Sequence, residues 1–416
     1  MTEGNVDVLV VGGGIGGLAN ALALTQKGLK VRVLERAAQL GEVGAGMQLA
    51  PNCTRILDQW GLLDEAVSLG VLPERLVMKD AMEGGELTTL DLADLKERYG
   101  YPYLVIHRSD LHGALLRACR DAGVDLVTDT TVTDYEQVED GAVAVHDGGR
   151  EFAPAIIAAD GLGSTARALF SDDEPVSSSY VAYRGAIPVE QVDQLNVSLK
   201  DVVVYVGPKR HFVQYPLRQG EMFNQVAVFE SPKARAGEED WGTPDELDAA
   251  FEGSCDSVQA GLPLMWRDRW WRMYDRNPIM NWVQGRLALT GDAAHAPLQY
   301  LAQGAVMAME DAWVLAEHVG QRMGAEGPDW DGALAAYNAV RTEHCRRVVL
   351  TARDWGNLWH HTGVKRLWRN AVMRARDPKD YAFVDWLYGP TALTPELLAP
   401  MFDPANAPTV EVPESA

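Results

Sequence analysis

Cysteine is scarce in this chain. Only Cys53, Cys119, Cys255 and Cys345 are present, and no two form a CxxC pair. That spacing excludes a zinc ribbon or thioredoxin-like motif and offers no ligand set for a metal. The four read as free thiols of a reducing, cytoplasmic protein. Positive charge is also short: 37 Lys and Arg stand against 59 Asp and Glu, for a net charge of −22. A nucleic-acid binder carries a basic footprint, so none is expected here. An anionic ligand would need a local cluster of donors to enter against that field. Long apolar runs are missing too. The nearest, Val8–Leu24, is broken by five glycines and flanked by Glu3 and Asp7 rather than Lys or Arg, which argues against an export signal. No other stretch approaches the ~20 apolar residues that span a bilayer.

What is present is an ordinary globular composition, 47% hydrophobic and 23% charged, over a length that suits two or three domains. Residues 6–11 read as a buried strand, 15–27 as a helix and 31–35 as the next strand, a βαβ unit. A helix follows from Asn52 to Trp60. Residues 76–92 alternate like sheet strands, and a helix starts around Arg108, with Ser109 or Asp110 as its cap. From about 171 to 276 strand-like runs dominate, among them Val202–Val206, His211–Tyr215 and Asn224–Phe229. The fold class read from this is α/β: a Rossmann-type nucleotide-binding domain (1–75, 100–170 and 277–330), an inserted β-sheet substrate domain (76–99 and 171–276) and a helical C-terminal region (331–416). The tail after Thr394, rich in Pro, Ala and Glu, is expected to pack loosely.

The chemistry is concentrated in three motifs. Gly12-x-Gly14-x-x-Gly17 follows the first strand, and Glu35 closes the second. The first glycine permits the tight turn, the second lets a pyrophosphate approach the backbone, and the third lets helix and strand pack closely. The helix N-terminus offers unpaired N–H groups to the phosphates, and Glu35 can accept from both ribose hydroxyls. Asp160-Gly161-Leu162-Gly163-Ser164-Thr165-Ala166-Arg167 is the second motif. The third, Gly291-Asp292-Ala293-Ala294-His295, follows the buried run Leu287–Leu289. Asp292 can accept from a ribityl hydroxyl or simply cap a helix. If the dinucleotide is FAD, the helix that follows would point its positive end at the flavin edge that gains charge on reduction, and Gly304 suits a close backbone approach.

Together the three motifs resemble the class A flavin-dependent aromatic hydroxylases, over about 380 residues. The resemblance implies extended FAD, with Glu35 on the adenosine ribose, Arg36, Gln48 and Arg108 as further contacts, Asp160 near the FAD and pyridine-nucleotide paths, and Asp292 on the ribityl chain. Two departures are visible: Ala296 stands between His295 and Pro297, and Ala302-Gln303-Gly304-Ala305-Val306 replaces a Gly-Gln-Gly-x-Asn pattern. Four stretches, Ser178–Gly185, His211–Leu217, Trp266–Trp271 and Pro297–Leu301, are similar to the 3-hydroxybenzoate 6-hydroxylase branch. That likeness implies 3-hydroxybenzoate converted to gentisate by NADH (or NADPH) and O2 through a C4a-hydroperoxyflavin. His211 would take the phenol proton, and Tyr215 and Gln299 would hold the aromatic acid.

A phenol attacks an electrophilic oxygen far better as phenolate, so such a base is useful. Reference pKa values of a phenol and a His differ by about 3.5 units, so His211 cannot hold a full phenolate unaided. From spacing alone, His211 could equally be a satisfied core histidine, and Tyr215, alternating with Val213, plain core packing. The absence of a second fingerprint implies that the nicotinamide binds transiently. Arg267, Arg269, Arg272 and Arg276, set among aromatics, either steer an anion or line a surface strip. The basic-aromatic run 355–376 reads first as a homodimer interface and second as a lipid-surface helix. Competing activities are salicylate 1-hydroxylation, hydroxynicotinate hydroxylation, a flavin oxidase without oxygen insertion, and a flavin-bound protein without turnover.

Overall fold

The computed structural model describes residues 6–41, 44–192 and 197–389; the tail after Thr394 lies outside them. Three distant stretches meet in one six-stranded sheet, ordered Val283–Gln284, Leu287–Leu289, Ile156–Ala158, Val8–Val11, Val31–Leu34 and Asp125–Val127. Every pairing but the first is parallel. The central strands are short and apolar, as strands buried on both faces are. Register sets Val11 beside Ala158, and Ala158 beside Leu289. The three strands therefore end together. Gly12, Asp160 and Gly291, just beyond those ends, share the carboxyl edge of the sheet, where ligands of open α/β sheets bind.

The second sheet has seven strands, ordered Trp271–Asp275, Val176–Pro188, Met222–Glu230, Arg210–Leu217, Asp201–Gly207, Arg75–Asp80 and Glu86–Asp91. Period-two alternation divides its side chains. Val203, Tyr205, Phe212, Ala227 and Phe229 form a core of their own with Leu247 and Phe251. Val204, His211, Val213, Tyr215 and Val226 line a cavity on the opposite side. The stretch 76–92 is thus two strands, followed by a helix Leu92–Tyr99 that Asp91 caps through Ala93 N and Asp94 N. The cap of Arg108–Asp121 is neither Ser109 nor Asp110. It is His107, whose Nδ1 accepts from Ser109 N at 3.3 Å. The strand Leu104–His107 runs directly into this helix, so its last extended residue takes the capping position.

Helices Gly304–Gln321, Trp330–Trp359, Gly363–Ala375 and Ala382–Tyr388 complete the chain's described part. Gly363–Ala375 is clamped to the seven-stranded sheet. Arg366 donates to both oxygens of Asp80 at 2.9 and 2.6 Å, and Asn370 donates to Asp80 at 2.6 Å. Burial alone would raise the Asp80 pKa, but these bonds, with backbone donors Met82 and Glu83, bring it down to about 2. The run 355–376 is therefore two helix segments, and its cations divide: Arg366 pairs with Asp80 and Arg369 is buried, while Lys365 is exposed and so is Arg374, 3.8 Å from Glu83. Its outer face is apolar, with Val364 81%, Leu367 59% and Trp368 61% exposed.

The four arginines of 267–276 are also engaged. Arg267 pairs with Asp248 and Arg269 with Asp268. Arg272 lies over Trp241, and Arg276 is buried, donating to Leu162 O. This arrangement favours the surface strip over steering. All four cysteines are free; three are buried and Cys255 is partly so. Burial pushes the Cys119 thiol up to about 12 and Cys53 higher still. Among the described residues no helix is long and apolar enough to cross a membrane.

Candidate active site

A cavity of about 1120 Å³ opens along the carboxyl edge of the six-stranded sheet and continues beneath the seven-stranded one. It exceeds the ~300–1,000 Å³ typical of a site for one small ligand. Gly12, Gly14, Glu35, Arg36, Gln48, Arg108, Asp160, His211, Tyr215, Asp292, Gln299 and Gly304 all line it. Gly17 does not; it lies behind the turn, where an added Cβ would sit 1.8 Å from Gly12 O. Gly12 has φ +108°, and a Cβ there would sit 2.3 Å from Ala159 O. The close-packing role of the third glycine and the tight-turn role of the first are thus both visible as backbone geometry.

Glu35 pins this turn: Gly13 N donates to its Oε2 at 2.6 Å and Ala37 N to its Oε1 at 2.8 Å. Asp160 Oδ2 accepts from Thr165 N at 3.0 Å, while its Oδ1 is buried with no partner among the described residues. Arg167 latches the second motif to the third, donating to Ala293 O at 3.0 Å and Ala294 O at 2.7 Å. Asp292 is not the helix cap; Gly291 is, and the Asp292 carboxylate makes no hydrogen bond among the described residues. An orphaned acceptor at Asp160, an uncommitted carboxylate at Asp292 and a cradle that admits no Cβ together fit a dinucleotide with hydroxyl groups to donate. Beyond Gly291, Ala302 takes φ +54°, a left-handed conformation glycine adopts at less cost, so the departure at 302 keeps the turn and bears the strain.

Beneath this loop lies a buried charge network. Arg341 donates to Asp311 and to Glu310, both at 2.8 Å; His295 Nε2 lies 2.6 Å from Asp311; and Gly291 N donates to Asp311 at 3.0 Å. Burial disfavours the charged forms, yet the ion pair wins: the His295 pKa rises well above its ordinary value and that of Asp311 falls below the carboxylate range. The pair thus ties His295 to Asp311 directly beneath the Gly291 turn. Among the described residues, His295, Asp311 and Cys345 are the one group with metal-ligand spacing, and this ion pairing occupies it.

The far half of the cavity is largely aromatic. His211 is 1% exposed, and burial lowers its pKa to about 3. Its Nδ1 lies 2.9 Å from Nε2 of His360. Burial pushes Tyr215 up, with Arg184 and Gln48 opposing only in part, so its hydroxyl stays a donor at neutral pH. Gln48 in turn accepts from Tyr103 at 2.7 Å. Gln299 sits in the short turn Gln299–Leu301 on the same wall.

Three lining residues escaped sequence reasoning. Arg184 lies over the Trp271 ring and has no carboxylate partner among the described residues. The Trp359 indole N–H is buried without a partner there, and Arg376 brings the C-terminal region to the wall. The visible signal for Arg184 is that it is the one charged residue of the strand Val176–Pro188. For Trp359 and Arg376 the only signal is the aromatic-basic run itself.

Residues 5–352 match the FAD binding domain family. A 3-hydroxybenzoate 6-hydroxylase from Polaromonas naphthalenivorans (strain CJ2) is 38% identical over 392 residues, covering 92% of this chain and 96% of that protein. 3-Hydroxybenzoate 6-hydroxylase 1 from Aquipseudomonas alcaligenes is also 38% identical, over 92% of this chain and 97% of its own length. The solved structure of Klebsiella pneumoniae HpxO complexed with FAD and uric acid superposes with a TM-score of 0.82 at 27% identity, covering 93% of this chain and 98% of that one.

Proposed function

The chain belongs to the FAD binding domain family as a flavin-dependent aromatic monooxygenase, and from that premise we propose that it hydroxylates 3-hydroxybenzoate at the 6-position, giving gentisate, with NADH as donor and O2 as oxygen source. The observation that carries the reading is a single cavity that joins the glycine cradle to a wall bearing His211, Tyr215 and Gln299. Reduced FAD with O2 supplies an electrophilic oxygen there. Gly12, Gly14 and Gly17 form the pyrophosphate turn, and Glu35 takes the adenosine ribose. Arg36, Gln48, Arg108 and Gly304 contact the cofactor, Asp160 offers its orphaned oxygen, and Asp292 accepts from the ribityl chain. His211 takes the substrate's hydroxyl proton, Tyr215 donates to the aromatic acid, and Gln299 orients it. Arg184 is the cation offered to the carboxylate, against a chain whose net charge is −22.

NADH visits this same cavity transiently. The FAD-binding domain comprises 1–75, 100–170 and 277–330, the substrate domain 76–99 and 171–276, and the helical region 331–416. The protein works in the cytoplasm, a reading its four free thiols support. It pairs as a homodimer through the apolar face of Gly363–Ala375. With Arg366 and Arg369 turned inward, that face suits a second copy better than an anionic lipid surface.

The test is NADH oxidation by purified enzyme against a panel of hydroxybenzoates, with product analysis under labelled oxygen. Gentisate carrying one labelled oxygen is expected from 3-hydroxybenzoate. Catechol from salicylate as the preferred reaction, or no label in any product, would sink the assignment.

A further inference from the structure

The base assigned above faces a thermodynamic obstacle. A phenol and an imidazole already differ by about 3.5 pKa units, and the apolar wall around His211 widens that gap, since burial lowers the histidine further. A lone imidazole there would have to become an imidazolium among Tyr300 and Trp359, whose rings lie 5.4 and 5.2 Å away. His211 is not alone. Its Nδ1 meets His360 Nε2 at 2.9 Å, with the two rings nearly coplanar at 21°. A bond between two neutral imidazoles needs one donor and one acceptor.

His360 is well placed as an exit. It is 7% exposed where His211 is 1% exposed, and it stands at the C-cap of Trp330–Trp359, beside the half-buried His361. Its position is held from several sides. Tyr180 stacks on the ring at 4.5 Å and 15°, and Tyr300 meets it edge-on at 5.5 Å. Lys209 N donates to its carbonyl at 3.1 Å, and Arg369 donates to Trp359 O just before it. The charged group that bears on the His360 ring is Arg369, and with burial and His211 it disfavours an imidazolium.

We propose that His360 is the second member of a proton relay that carries the substrate's hydroxyl proton from His211 to solvent. The substrate O–H bond breaks as a bond to His211 Nε2 forms. The proton on His211 Nδ1 passes to His360 Nε2, and the proton on His360 Nδ1 leaves to water. Neither ring holds a net charge, so the apolar wall opposes no imidazolium. The negative charge stays on the substrate oxygen and is spent in attack on the electrophilic oxygen. His360 touches no reacting atom; it acts through His211.

This inference rests on the reading of His211 as the base, and product formation by the unaltered enzyme tests that reading separately. The relay is tested in His360→Leu and His360→Gln holoenzymes. Glutamine can accept from His211 Nδ1 but cannot pass a proton on. FAD content, thermal midpoint and 3-hydroxybenzoate affinity are expected to stay close to those of the unaltered enzyme. The rapid-reaction hydroxylation rate is expected to fall at least about tenfold in both variants. The unaltered rate is expected to depend on deuterium fraction along a curve, for the three protons of the relay in flight, and the Gln variant's along a straight line. Full hydroxylation rate in His360→Gln, or a straight dependence in the unaltered enzyme, would overturn the relay while leaving the substrate assignment intact. If the Leu variant does not fold, His360→Gln decides alone.

Discussion

The two halves of the cavity are built by different means. The nucleotide half is made of backbone: Gly12 and Gly17 leave no room for a Cβ, and Gly291 is held from below by Asp311. The aromatic half is made of side chains on alternate strand positions, closed by helices that arrive late in the sequence. His211 meets His360 across 149 residues. Backbone requirements leave local marks in a sequence, whereas side-chain meetings across such a distance leave none. The first half is therefore tuned through its supports and the second through its lining.

The largest expected effect strikes the supports. Arg341→Leu leaves Asp311 and Glu310 short of a partner in the interior, a loss of about 3–5 kcal/mol. Thermal unfolding and flavin retention should fall together. If flavin is retained at full strength, the backbone half does not depend on that network. His211→Ala should do the opposite, lowering the hydroxylation rate about 10²–10⁴-fold while FAD stays bound. Full coupled hydroxylation by this variant would remove the base from the aromatic half. Arg184→Met sharpens the contrast further. KM for the aromatic acid should rise on the order of tenfold or more, as loss of a charge-assisted hydrogen bond predicts, with FAD content unaffected. A fall in flavin affinity instead would move Arg184 to the other half.

The smallest effect is on pH. Asp80, with its folded pKa lowered to about 2, contributes stability that is present above the unfolded value of about 3.9 and is lost as pH falls through the folded one. Acid titration followed by limited proteolysis should therefore release Gly363–Ala375 from the sheet across that window. Release that starts near neutrality would show that another group holds the clamp.

Legibility followed the same division. The βαβ unit, the three motifs and the inserted strands were readable because glycine positions and strand alternation are local signals. That three motifs share one sheet edge follows from parallel register, which becomes visible once Val11, Ala158 and Leu289 are seen side by side. The cap at His107 was missed because the strand enters the helix without a turn. Trp359 was missed as a site residue because nothing in its neighbourhood distinguishes a cavity wall from a core, and the single charge in the strand of Arg184 names no ligand by itself. Asp292 carried two readings in the sequence, cap or ligand, and the conformation of Gly291 decides against the cap.

The burial of the cysteines has a consequence for the durability of the enzyme. A flavin monooxygenase whose oxygen transfer miscarries releases hydrogen peroxide into its own surroundings. Thiols are oxidised as thiolates and only where peroxide can reach them. Cys53 and Cys119 offer neither access nor thiolate, and Cys345 is sealed from solvent. Cys255 alone is partly open. Oxidative ageing during long turnover should accordingly begin at that one position, and mass spectrometry of exhausted enzyme should find sulfinic acid there before it finds any elsewhere.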